Sequence, residues 1–155
     1  KGDSLKSFIQ ALTMGFISAT AVFTASFFQL PTWVLFVAWV SYYLFGAKPK
    51  SSLLVFVQQI LGILIAITIQ YGGSQLTPYI GMLGIPATVF IVISAIFYLS
   101  KAKYLNNIPA YFLGIIIWFG LHSEITISSF LLLAITLIIG FTFAWLNEAL
   151  RKKIK

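Results

Sequence analysis

The sequence predicts an all-α, polytopic membrane protein with six transmembrane helices and both termini in the cytoplasm. Composition is the first observation behind this reading: 60% of the 155 residues are hydrophobic and only 8% are charged. A soluble domain of this length carries about 25% charged residues, so lipid must be the solvent for most of this surface. The second is that the apolar runs are continuous rather than alternating, which selects helices over barrel strands among the structures that satisfy their backbone in lipid. The third is the placement of all ten Lys and Arg residues at the ends of apolar runs. Lys1 and Lys6 precede the first run, Lys48 and Lys50 separate the second from the third, Lys101 and Lys103 separate the fourth from the fifth, and Arg151, Lys152, Lys153 and Lys155 follow the sixth. The segments Gly72 to Pro78 and His122 to Thr126 carry no Lys or Arg. Counting spans puts every basic residue on one side, the pattern expected when basic flanks resist translocation.

A single transmembrane domain over residues 1–155 is expected, with spans at about 8–30, 31–47, 52–71, 80–100, 104–122 and 125–146. Each is close to the roughly 20 residues that cross a 30 Å hydrocarbon core. The first run has no small-residue cleavage site leading into a polar chain and reads as a span rather than a signal peptide. Pro31 opens span 2 after a very short turn, and Pro49 sits in the compact basic turn Ala47-Lys48-Pro49-Lys50-Ser51, where it bars helix continuation. Gly72-Gly73-Ser74 is expected to end span 3, and Thr77-Pro78 to lead into span 4, with Gly81, Gly84 and Pro86 kinking its outer third. Span 5 has the shortest apolar part, Ile108 to Leu121, preceded by Asn106-Asn107 with Pro109 just inside. Span 6 ends in the basic tail.

Trp33, Tyr71, Tyr79, Trp118 and Trp145 fall near the expected interfaces, where amphipathic rings settle. Two helices carry small residues at steps of four, Ala11, Gly15 and Ala19 in span 1 and Thr136, Gly140 and Ala144 in span 6. Such stripes let helices approach closely, within one protomer or between protomers. An internal echo links Val34, Val37, Tyr43, Leu44, Ala47 and Lys48 to Val89, Val92, Tyr98, Leu99, Ala102 and Lys103, 55 positions later. Spans 2–3 and 4–5 would then be parallel hairpins.

No charged residue is expected at mid-depth in any span, which disfavours proton- or ion-coupled transport. With no cysteine, one histidine and no phosphate-binding loop or metal-ligand cluster, neither a cofactor nor a metal is expected, and an enzyme reading has almost nothing to stand on. The basic charge needs only lipid headgroups as its counterpart, not nucleic acid. Four polar groups remain. Gln58 and Gln59, two turns into span 3, read either as interhelical hydrogen bonds or as solute contacts. Asn106, Asn107 and Pro109 read as an ordinary N-cap or as helix-terminal amides offered to an anion. His122 and Glu124 read as a solvated loop pair or as a titrating outer gate. Thr13, Thr20 and Thr24 share one face of span 1, where threonine hydroxyls commonly bond back to their own helix, and Gln29 ends that helix.

The stretch Leu30-Pro31-Thr32-Trp33, Phe36, Tyr43, Phe45-Gly46, then Tyr71-Gly72-Gly73, Leu83-Gly84, Lys101-Ala102-Lys103, Ile108 to Gly114 and Phe119-Gly120 resembles the small YcdZ-like bacterial inner-membrane proteins. That resemblance runs in order over nearly the whole chain and implies a multi-pass protein of the bacterial inner membrane with six helices. It implies no reaction and carries over no functional residue. More distantly, Pro31, Trp33, Lys48, Lys50 and Gly62 are similar in order to features of the membrane half of fusaric-acid-resistance and aromatic-acid exporters, whose large cytoplasmic portions have no counterpart here.

The expected function is a channel or facilitator for a small solute, such as a small organic anion, acting as a homo-oligomer. Six short helices filled with Phe, Leu and Ile leave little room for a private aqueous route, and the basic rim would concentrate anions. The alternative is a non-transporting subunit that scaffolds or regulates a partner membrane complex. A third reading is a substrate-binding membrane subunit of a vitamin importer, ranked last because the outer loops are too short to form a lid.

Overall fold

A computed structural model describes residues 2–154; Lys1 and Lys155, both part of the basic pattern, lie outside the described residues. The described residues form six α-helices and no strand: α1 (Gly2–Phe27), α2 (Thr32–Leu44), α3 (Pro49–Ile80), α4 (Gly84–Leu99), α5 (Ile108–Gly120) and α6 (Ile127–Lys153), with one 3-10 turn at Gly81–Leu83. Three helical stretches, Gly2–Phe27, Pro49–Leu99 and Ile127–Lys153, are long and apolar enough to cross a membrane. The apolar helices α2 and α5 have 13 residues each, a rise of about 20 Å.

The long middle stretch folds back on itself. A Cβ added to Gly73 would lie 2.7 Å from Ile85 Cγ1, and one on Gly72 would lie 2.9 Å from Thr88 Cγ2. Residues twelve apart in one straight helix are separated by about 18 Å, so the chain must reverse between them. The reversal is at Gly81, whose φ of +59° is a left-handed conformation that glycine adopts without a steric penalty. This corrects the expected boundary between spans 3 and 4. Gly72-Gly73-Ser74 does not end a helix, since α3 continues for two more turns to Ile80. Those glycines instead provide the surface on which α4 packs. Gly81, Gly84 and Pro86 likewise make the turn and the first turn of α4 rather than a kink inside a span, and Pro86 is tolerated there because first-turn amides have no intrahelical acceptor.

Two compact units divide the chain. One is Leu54–Phe130, which holds most of α3, all of α4 and α5, and the first turn of α6; the other holds the described residues on either side. In the latter unit α2 and α6 run parallel. A Cβ on Gly140 would strike the carbonyl oxygen of Leu35 and lie 2.7 Å from Ala38 Cβ, and two turns further on Asn147 Nδ2 donates to Tyr43 Oη at 2.7 Å. The span 6 stripe is therefore a packed face, with Thr136 and Ala144 fully buried beside Gly140. The span 1 stripe is not. Ala11, Gly15 and Ala19 are exposed, and nothing lies within 4 Å of a Cβ placed on Gly15. The buried face of α1 is Ile17, Ala21 and Ala25, also at steps of four but turned about the axis. Near the chain ends, Gln10 Nε2 donates to the Ile154 carbonyl at 3.2 Å, so the start of α1 lies beside the end of α6. Thr13, Thr20 and Thr24 each bond back to the carbonyl four residues earlier, at 2.8–2.9 Å, and Gln29 ends α1 in the left-handed conformation (φ 54°).

Among the five aromatic residues expected at interfaces, Trp33, Tyr71, Tyr79 and Trp145 are exposed. Trp118 is not an interface ring: it is completely buried.

Candidate functional site

Within Leu54–Phe130, α3 and α5 run parallel and meet along one seam that joins three of the polar groups singled out above. At the centre, Gly62 faces Gly114. A Cβ on Gly62 would strike the Tyr111 carbonyl oxygen, and one on Gly114 would strike that of Gln59. Ala66 on α3 and Ala110 on α5 continue the contact at a step of four, both fully buried. These small residues bring backbone against backbone, the usual route to tight helix association in lipid.

One turn before that crossing, Gln58 is 2% exposed and spends both ends of its amide on backbone. Its Oε1 accepts the Asn107 N–H at 2.7 Å, and its Nε2 donates to the Leu54 carbonyl at 3.0 Å. Asn107 occupies the N-cap position of α5, yet its own side chain makes no capping bond. Gln58, on a neighbouring helix, accepts the N–H of Asn107 itself, while the Ala110 N–H donates to the Asn107 carbonyl at 3.0 Å. This arrangement leaves little for an anion: the Asn107 amide already has an acceptor, and Pro109, at the second helical position, has no N–H to offer. Asn106 and Pro109 are exposed, while Gln59 is fully buried on the face of α3 against α5. Tyr111, also fully buried, donates its hydroxyl to the Leu105 carbonyl at 2.9 Å and holds the preceding turn down.

At the other end of the seam, Gln70 Oε1 accepts from Trp118 Nε1 at 2.6 Å, and Gln70 Nε2 donates to the Ser123 carbonyl at 3.3 Å. One glutamine thus fixes both the indole and the turn after α5. That turn passes through His122 in the left-handed conformation (φ 50°). His122 and Glu124 are exposed, and among the described residues no ion pair joins them. A cleft of about 230 Å³ opens here, lined by Gln70, Trp118, Phe119, His122 and Ser123. Gln70 was not among the residues singled out from the sequence. Its position three turns after Gln58, on the same helix, is the signal that a search for polar residues on one apolar helix would have found.

A second polar cluster lies at the end of α6 in the other unit. Asn147 and Glu148 are buried, at 4% and 5% exposure. Glu148 accepts two hydrogen bonds from Arg151, at 2.8 and 2.9 Å, and lies 3.5 Å from Lys152 Nζ. The Arg151 hydrogen bond, followed by the charges of Arg151 and Lys152, holds the Glu148 carboxyl below the usual carboxylate range against the opposing effect of burial. A depressed carboxyl pKa contributes stability that is present above the unfolded value and is lost as pH falls through the folded one. Glu148→Gln is therefore expected to lower stability modestly near neutral pH, by less than ~1 kcal/mol because both basic partners are solvent-screened. The difference from wild type should vanish below the carboxylate range in a denaturation series over pH. Among the described residues no group of three or more His, Cys, Asp or Glu could hold a metal ion.

The sequence model of the family described as "Protein of unknown function (DUF1097)" matches residues 11–152. Neither a curated protein nor a solved structure matches the chain.

Proposed function

We propose that this chain, which belongs to the DUF1097 family of proteins of unknown function, is a six-span facilitator of a small solute that works as a homo-oligomer in a bacterial inner membrane. Helix directions support the spans. Parallel pairs α2–α6 and α3–α5, with an antiparallel α3–α4 hairpin, are what strict alternation across a bilayer requires of even and odd spans. The bond from Gln10 to Ile154 supports both termini on one side. Near them lie Lys6, Arg151, Lys152 and Lys153, and that side is taken as cytoplasmic. The YcdZ-like resemblance fits the same topology.

One observation carries the solute reading. The seam between α3 and α5 opens at its far end into a cleft of solute size, lined by Gln70, Trp118, Phe119, His122 and Ser123. Because Gly62 and Gly114 close the seam backbone to backbone, the route does not run between α3 and α5. A route shared between protomers avoids that closure. The capped start of α5 no longer favours an anion, so uncharged solutes come first. Flux into proteoliposomes of urea and small alcohols should exceed that of protein-free vesicles and saturate, with organic acids, inorganic anions and potassium as comparisons. Absence of flux for every solute would overturn the reading.

The exposed Ala11–Gly15–Ala19 face favours a second reading, a subunit that docks a partner in the membrane. Gly15→Leu should leave the fold intact, since the position is open. A partner lost from the purified complex by that substitution would support this alternative.

A further inference from the structure

We propose that the cleft beside Trp118 is a binding site for a small, uncharged, ring-bearing molecule with one hydrogen-bonding group. Its size is the first argument: about 230 Å³ exceeds the roughly 150 Å³ of an apolar cavity that takes up benzene. The lining is the second. Phe119 and the His122 ring, both exposed, supply flat surface against which another ring gains contact in stacked or edge-on geometry. The walls are also held in place, because Gln70 bonds both Trp118 and the Ser123 backbone and so leaves little to reorganise on binding. The polar content is the third. Gln70 Oε1, in the cleft lining, has a second lone pair beyond the one used by Trp118, to which one hydroxyl of an occupant would donate. Charge is the fourth. No Lys, Arg, Asp or Glu lines the cleft, so an ion entering it would lose hydration without a fixed countercharge.

The site stands on its own geometry; only the identification of its occupant with the transported solute rests on the facilitator reading. The test is binding of 4-fluorobenzyl alcohol, followed by fluorine NMR, to the full chain in nanodiscs, with empty nanodiscs as the partition control and 4-fluorobenzoate as the charged counterpart. Saturable binding at one molecule per chain is expected, with the benzoate weaker by at least about tenfold. Phe119→Ala removes a ring that is already 39% exposed and should not disturb the fold. His122→Asn keeps a residue that tolerates the left-handed backbone. Each should weaken binding by about fivefold, the size of one aromatic contact. Uptake no greater than in empty nanodiscs, unchanged affinity in both variants, or equal affinity for the benzoate would overturn the proposal. Saturable binding without flux would uphold the site and remove the transport reading, so the two fail separately.

Discussion

Replacing Gly114 with alanine is expected to abolish the native packing of α3 on α5. The added Cβ would strike the Gln59 carbonyl oxygen, and it would lie 2.9 Å from both Gly62 Cα and Ile63 N. All three are backbone atoms, so no side chain can swing away to relieve the overlap. Overpacking typically costs ~1–3 kcal/mol, and a clash confined to backbone belongs at or above the top of that range. Gly62→Ala should behave alike, because its Cβ would strike the Tyr111 carbonyl from the opposite helix. Gly140→Ala tests the same principle in the other unit, against the Leu35 carbonyl. Gly15→Ala is the internal control: its position is open, and alanine in a helix is favoured over glycine by ~0.5–1 kcal/mol. Unfolding in detergent should show the first three variants strongly destabilised and the fourth unchanged or slightly improved. Equal behaviour of Gly114→Ala and Gly15→Ala would contradict the close α3–α5 contact.

Gln58→Leu is expected to cost about 1–3 kcal/mol, the penalty for leaving a half-buried amide donor, here Asn107 N–H, without its acceptor. The leucine nearly matches the glutamine in volume, so little of this cost would come from a cavity. Asn106→Ala should change stability by less than ~0.5 kcal/mol, since Asn106 is exposed. A glutamine whose role was solute contact alone would give the opposite result, with flux lost and stability retained. The pair of measurements therefore separates the two roles that the sequence leaves open for Gln58. The bond from Asn107 N–H to Gln58 predicts that stability falls whether or not flux does.

Periodicity and charge carried most of the helical architecture, because the continuous apolar runs and the basic turns around Lys48–Lys50 and Lys101–Lys103 are local features. The short α5 beginning beside Pro109 was legible for the same reason, as were the back-bonded threonines of α1. The end of α3 was not. Gly72 and Gly73 have a low intrinsic helix propensity, which favours a break, but packing against Thr88 and Ile85 of α4 outweighs a penalty of about 1 kcal/mol per glycine. That compensation comes from residues distant in sequence. The α3–α5 seam left a fainter trace: Gly62 with Ala66, and Ala110 with Gly114, are small residues at steps of four, only two per helix and easily lost beside the longer stripes. The longest-looking stripe on α1 faces outward, because spacing alone does not say which side of a helix has a neighbour. Trp118 shows the same limit in another form. Its place near a helix end suggested an interface ring, yet Gln70, 48 residues away, offers the acceptor that lets the indole be buried.

A membrane route in this protein requires α3 and α5 to start on the same, cytoplasmic side and α3 to turn back into α4 on the other. The chain has no cysteine, so single cysteines can be introduced without background. The decisive measurement is labelling of Ser4→Cys, Met82→Cys and Ala102→Cys by a membrane-impermeant maleimide, in intact and then permeabilised spheroplasts. Met82 is 91% exposed in the α3–α4 turn, and Ala102 lies between the two lysines that precede α5. Labelling of position 82 in intact spheroplasts, with positions 4 and 102 reached only after permeabilisation, is the predicted result. Labelling of position 102 from outside, or of 4 and 82 from the same side, would contradict the six-span arrangement and the solute route built on it.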